Sequence, residues 1–177
     1  MCTAGRCEVS SRAPRIHDAE RRIFEVEAVA YVTREGVAHS GEAPISDGGV
    51  LFLQFAPAFP KGAQLVEAYV LLDRAEDDAN LIPFTLRASP VASPFSVKTI
   101  QWSRFPSIGP SRSAETRIFE LTPHTIRVDV LDIVQKWRDG AEPYGIAIES
   151  RGGGRGGGVA LSGRGGAFGP RLEVYLR

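Results

Sequence analysis

The apolar residues of this 177-residue chain fall in short runs, each closed by proline, glycine or an acidic turn. Helices that build a fold need runs of about ten or more residues with a 3.6-residue period, so punctuation of this kind favours strands and turns. From Ile23 onward Phe24, Val26, Ala28 and Ala30 alternate with Glu25, Glu27, Val29 and Tyr31. That is the period of a strand with one buried face. A loop containing Gly36, Gly41, Pro44 and Gly48 follows and leads into Val50-Leu-Phe-Leu-Gln-Phe55, apolar on both faces and read as a central strand.

Pro57 and Pro60 stop that strand, Lys61-Gly62 turns the chain, and Leu65 to Asp73 supplies another. Further strands are expected at Phe84–Ala88, Thr116–Leu121, Thr125–Val128, Gly145–Glu149 and Leu172–Leu176. In the last, Leu172, Val174 and Leu176 face one way and Arg171, Glu173, Tyr175 and Arg177 the other, which predicts one buried and one wet face. One segment departs from the pattern. Asp129 is placed to cap and Gly140 to end a short helix over about 129–139, with Val130, Ile133, Val134 and Trp137 on one face. Many short strands around one such helix predict an all-β fold, a jelly-roll-like β-sandwich.

Hydrophobic residues make up 43% of the chain and charged residues 24%, ordinary values for a folded domain. The length suits one core, so residues 23–177 are expected to form a single domain. Residues 1–22 hold five arginines, Ser10, Ser11 and Pro14 with no strand or helix period, and are expected to be a flexible N-terminal arm. Cys2 and Cys7, the two cysteines of the chain, both lie in it. They are placed to close a local loop, to bind a metal with ligands from outside, to cross-link to another chain, or to remain free, though two thiols alone rarely make a zinc site. Twenty-one Lys and Arg balance twenty-one Asp and Glu, so no overall field draws the chain to nucleic acid. No apolar run is long enough to insert in a membrane, and the first thirty residues lack the apolar stretch of a secretory signal.

The segments resemble, in their order, the DNRLRE-type domain, a carbohydrate-binding-module-like β-sandwich also found as repeats in the disaggregatase family. The resemblance rests on Val50-Leu-Phe-Leu-Gln-Phe55, Phe59-Pro-Lys-Gly62, Ala68-Tyr-Val-Leu-Leu72 and Thr99-Ile-Gln-Trp102 with Pro106. It continues through Val128 to Trp137 with Gly140, then Gly145-Ile-Ala-Ile148 and Pro170-Arg-Leu-Glu-Val-Tyr175. It implies a jelly-roll-type fold, use at a cell surface or outside the cell, no chemistry of its own, and core positions for Trp102 and Trp137. It transfers no ligand site. The stretch Ala160-Leu-Ser-Gly-Arg-Gly-Gly166 lacks a glutamate that the family pattern carries before the last strand.

His17, His39 and His124 are scattered and no hydrolase or metalloprotease motif occurs, so no enzymatic activity and no cofactor are expected. Asp73, Glu76, Asp77, Asp78 and Asn80 form an oxygen-rich turn of the chemistry that suits Ca²⁺, though without the spacing of an EF-hand, and a solvated turn is the plainer reading. Tyr144 and Tyr175 are the aromatics best placed to stack on a sugar ring if exposed. The glycine tract Arg151 to Gly158 reads as a hairpin connection. Two functions follow as expectations. The first is a structural surface protein that self-assembles into a fibre or layer through its N-terminal arm, with disulfide cross-links from Cys2 and Cys7. The alternative is a carbohydrate-binding module for a cell-surface or extracellular polysaccharide.

Overall fold

A computed structural model describes the backbone of residues 2–3 and 6–7, together with residues 18–45, 48–74, 83–110, 115–119, 124–151, 158–161 and 168–177. Strands β1 (Cys2–Thr3) and β2 (Arg6–Cys7) pair antiparallel and set Cys2 opposite Cys7. Residues 8–17 of the expected arm lie outside the described residues. The body continues through β3 (Glu20–Glu25), β4 (Ala28–Val32), β5 (Val37–Ala38), β6 (Glu42–Pro44), β7 (Val50–Gln54), β8 (Leu65–Asp73), β9 (Phe84–Pro90) and β10 (Thr116–Ile118). It closes with β11 (Thr125–Asp129), α1 (Leu131–Arg138), β12 (Ile146–Arg151), β13 (Gly158–Ala160) and β14 (Arg171–Leu176).

Two antiparallel sheets hold most of these strands, one in the order β11-β8-β14-β3 and the other in the order β10-β9-β12-β7-β4-β5. The chain crosses between them at β3 to β4, β7 to β8, β8 to β9, β10 to β11, β11 to β12 and, by way of β13, β12 to β14. Interleaving of this kind is the strand order of a jelly roll, with β4 and β5 extending one sheet. The protein is thus an all-β sandwich with a single short helix among the described residues. Leu51, Leu53, Leu86, Ile146 and Ile148 of the larger sheet meet Val70, Leu72, Ile126, Val128, Leu172 and Val174 of the smaller in one apolar layer.

The alternation that begins at Ile23 is two strands rather than one. Phe24 and Val26 point into the core, whereas beyond the bend at Glu27 it is Val29 and Tyr31 that do, while Ala30 and Val32 face outward. The phase of the period flips where the chain passes from one sheet to the other. Both sets are apolar, which hides the flip in the sequence. The glycine tract does not join a hairpin either: β12 is already paired on both sides, by β7 and β9, so β13 pairs with β6 instead.

Helix α1 closes one end of the sandwich with Ile133, Val134 and Trp137 buried against the core. Burial of a side chain the size of Trp137 stabilises by about 2–3 kcal/mol. The Asp129 carboxylate accepts the Leu131 N–H at 2.9 Å, and Gly140 ends the helix at φ +102°, a conformation costly for other residues.

The expected wet face of β14 is not wet. Glu173 is fully buried and Tyr175 is 3% exposed, because β14 lies between β8 and β3 and its outward side chains are overlaid by their neighbours. Arg21 of β3 donates to Glu173 Oε1 at 2.5 Å and Arg127 of β11 to Oε2 at 3.1 Å, so one carboxylate straps three strands together. Isosteric Glu173→Gln takes from both guanidinium groups the charge that Glu173 supplies. Removing one member of a buried pair costs about 3–5 kcal/mol, and the partial exposure of Arg21 puts the expected loss near the lower figure, about 3 kcal/mol. Urea unfolding measures it; a loss under about 1 kcal/mol, the worth of a surface pair, would overturn this assignment.

Candidate functional site

The outer face of the larger sheet is apolar, carrying Ala30, Val32, Val50, Phe52 and Ala147, and cannot be left to water. Residues 91–110 fold across it. Val91 and Ile100 are buried there, and the Phe52 ring meets Phe95 at 5.5 Å and Phe105 at 5.4 Å. The excursion is closed by its own backbone: Ala92 N–H donates to the Ser107 carbonyl at 2.7 Å and Gly109 N–H to the Pro90 carbonyl at 2.8 Å. At its far end a tight turn, in which Arg104 N–H donates to the Gln101 carbonyl at 2.9 Å, carries Trp102 to the rim.

Trp102 stands edge-on to Phe105, with ring centroids 5.0 Å apart and planes at 66°, which fixes the indole while leaving it 36% exposed. The Arg34 guanidinium lies 5.7 Å from the ring centroid, within cation–π range. Arg34 sits in the turn between β4 and β5. Thr33 Oγ1 accepts the N–H groups of Glu35 and Gly36, each at 3.2 Å, and Thr33 N–H donates to the Gly36 carbonyl at 2.9 Å. The turn is therefore held in shape by its own hydrogen bonds.

Between these two elements opens a cleft of about 450 Å³, lined by Thr33, Arg34, Glu35, Pro44, Gly48, Gly49 and Trp102. Its base is rigid. Tyr31, buried beneath, donates its hydroxyl to the Pro44 carbonyl at 2.7 Å, and a Cβ at Gly49 would stand 2.4 Å from the Tyr31 ring. Only glycine lets the backbone lie this close to the aromatic ring. A cleft with an exposed aromatic, a guanidinium, a carboxylate and a hydroxyl offers stacking and directional hydrogen bonds, the means by which a small polar ring is held.

The residues expected from sequence lie elsewhere. Tyr144 is half-buried against the cluster under the 91–110 excursion, and Tyr175 is buried on the outer face of the opposite sheet, so the two form no shared platform. Burial first, and the Glu173 carboxylate second, raise the Tyr175 pKa above its ordinary phenol value. On the same face burial and then a 2.8 Å hydrogen bond to Glu67 push the Tyr69 phenol still further up. Asp73 is buried rather than solvated: its carboxylate accepts from Thr125 Oγ1 at 2.8 Å, Phe168 N–H at 2.9 Å and Arg171 Nη2 at 3.0 Å. These bonds, with the positive charge of Arg171, engage the oxygens that a cation would need. Glu76, Asp77, Asp78 and Asn80 lie outside the described residues, among which no group of three His, Cys, Asp or Glu is arranged to hold a metal. Trp137 is core, as the resemblance implies, but Trp102 is not. Polar Gln101, Ser103 and Arg104 around it were the signal for a turn at the surface.

No protein-family model matches the chain, and no curated protein matches it.

Gly49→Ala tests the base of the cleft. The added methyl must displace Tyr31 and with it the bond to Pro44, at an expected cost of about 1–3 kcal/mol, the usual penalty for overpacking. Thermal and urea unfolding measure it. An unchanged midpoint would mean that Tyr31 moves aside freely.

Proposed function

We propose that this protein is a non-catalytic β-sandwich module that binds a saccharide of a cell-surface or extracellular polysaccharide in the Trp102 cleft. The observation that carries the reading is an indole left 36% exposed at the rim of a cleft while its other contacts, Phe105 and Arg34, hold it in place. A fixed aromatic face costs no conformational entropy when a sugar ring stacks on it, and polar groups along the opposite wall meet the hydroxyls. The resemblance to DNRLRE-type domains points the same way, as does the jelly-roll order of strands. The carboxylates buried among the described residues, Asp73 and Glu173, are occupied with arginines in a structural role, which supports binding over chemistry.

Affinity electrophoresis of the full chain through gels containing single soluble polysaccharides tests the proposal. Trp102→Ala is expected to weaken retention by about 30-fold, the effect of a hot-spot tryptophan, with little change in the melting temperature. Equal retention of the variant and the parent protein on every polysaccharide that binds would remove the cleft from consideration.

A second reading, self-assembly through the N-terminal segment, draws on the edge position of β3. No described strand pairs with its outer side, so its backbone groups are open to an extended segment from another copy. The pairing of β1 with β2 sets Cys2 across from Cys7 in the backbone register. On this reading negative-stain microscopy shows filaments or layers for the full chain, and deletion of residues 1–17 abolishes them. Dispersed particles from both proteins would exclude it.

A further inference from the structure

We infer that the cleft selects an anionic saccharide, one whose ring carries a carboxylate or sulfate, and that Arg34 takes the anionic group while Trp102 takes the ring. This rests on the saccharide reading of the same cleft. Arg21, Arg22, Arg127, Arg138, Arg151 and Arg171 each have a carboxylate partner. Arg34 has none among the described residues and meets only the Trp102 ring. A guanidinium fixed on an indole keeps its N–H edge free, and that edge is the donor fork that carboxylate and sulfate oxygens accept in pairs. Charge around the cleft agrees. The excursion that presents Trp102, residues 91–110, contains exposed Lys98 and Arg104 and no Asp or Glu. Lys98 lies beside a separate hollow with Glu27, so among the described residues the charge at the cleft comes from Arg34, with Arg104 next but one to Trp102 in the chain, against Glu35.

Glu35 makes the inference two-signed. It follows Arg34 in the turn, lines the cleft and forms no ion pair among the described residues, so it opposes an anion and is neutral toward an uncharged sugar. Binding of the full chain to polygalacturonate, dextran sulfate and neutral dextran, at low and at moderate salt, separates the cases. The anionic polymers are expected to bind at least about tenfold tighter than dextran, with the advantage shrinking as salt rises. Arg34→Ala removes that advantage, Arg34→Lys restores part of it, and Glu35→Gln increases it. Preference for one anionic polymer over the other tells carboxylate from sulfate. Binding of dextran as tight as that of both anionic polymers, with Trp102→Ala still weakening it, would overturn the anionic preference and leave the saccharide reading standing. Retention that Trp102→Ala does not change, or no retention on any of the three, would overturn both.

Discussion

A sheet in a sandwich has two faces, and only one of them is served by the layer between the sheets. In the larger sheet the strands β4, β7 and β12 are apolar on both: Leu51 and Leu53 point inward and Val50 and Phe52 outward, as do Ile146 and Ile148 against Ala147. The outward set has to be covered by some other part of the chain. Residues 91–110 do this, and the path they must take over Phe52 fixes where the excursion turns back. Trp102 stands at that turn. The cleft is therefore a consequence of covering the second face, and its geometry is tied to the core through Phe105 and Phe52 rather than to a free loop.

The smaller sheet solves the same problem with charge. Its outward residues include Glu173, Asp73 and the arginines Arg21, Arg127 and Arg171, whose aliphatic stems lie over the strands while their guanidinium groups meet the carboxylates. No loop is needed. Such a face is stable only while each buried carboxylate keeps its partner, since an unpaired charge at zero exposure is far costlier than the pair is favourable. Tyr175 of this face is sealed beneath its neighbours. The two faces thus divide the work, one locking the end of the chain to its beginning and the other presenting a cleft.

How much of this the sequence shows depends on whether a residue's partner is near in the chain. Val50 to Phe55 is recognisable as a central strand because its own composition declares two buried faces, and α1 because Asp129, Gly140 and the apolar positions between them are local signals. The wet face assigned to β14 fails for the opposite reason. Nothing near Glu173 in the chain says that Arg21 and Arg127, from two other strands, will cover it. Trp102 differs: the resemblance implies a core position, its polar neighbours Gln101, Ser103 and Arg104 mark a surface turn, and the packing of its ring on Phe105 is visible in the fold alone. The phase flip at Glu27 leaves no mark at all, because both phases of that stretch are apolar. Arg34 and Gly49 lie in a segment whose composition marks it as loop. Their meeting with Trp102 depends on the long-range pairing of β4 with β7.

The balance of charge is a second case of scale. Counted over the whole chain, twenty-one positive and twenty-one negative residues cancel, and the count argues against attraction to any polyanion. Screening limits what a bound ligand feels to about 10 Å in ordinary salt, so the relevant sum is local. In the smaller sheet Asp73 and Glu173 are neutralised within their own pairs and contribute little beyond them. Around Trp102 the charges of Arg34 and Arg104 have no such described partners, and Glu35 is the one acid lining the cleft among the described residues. A chain without net charge can therefore still present an unpaired guanidinium beside an aromatic ring.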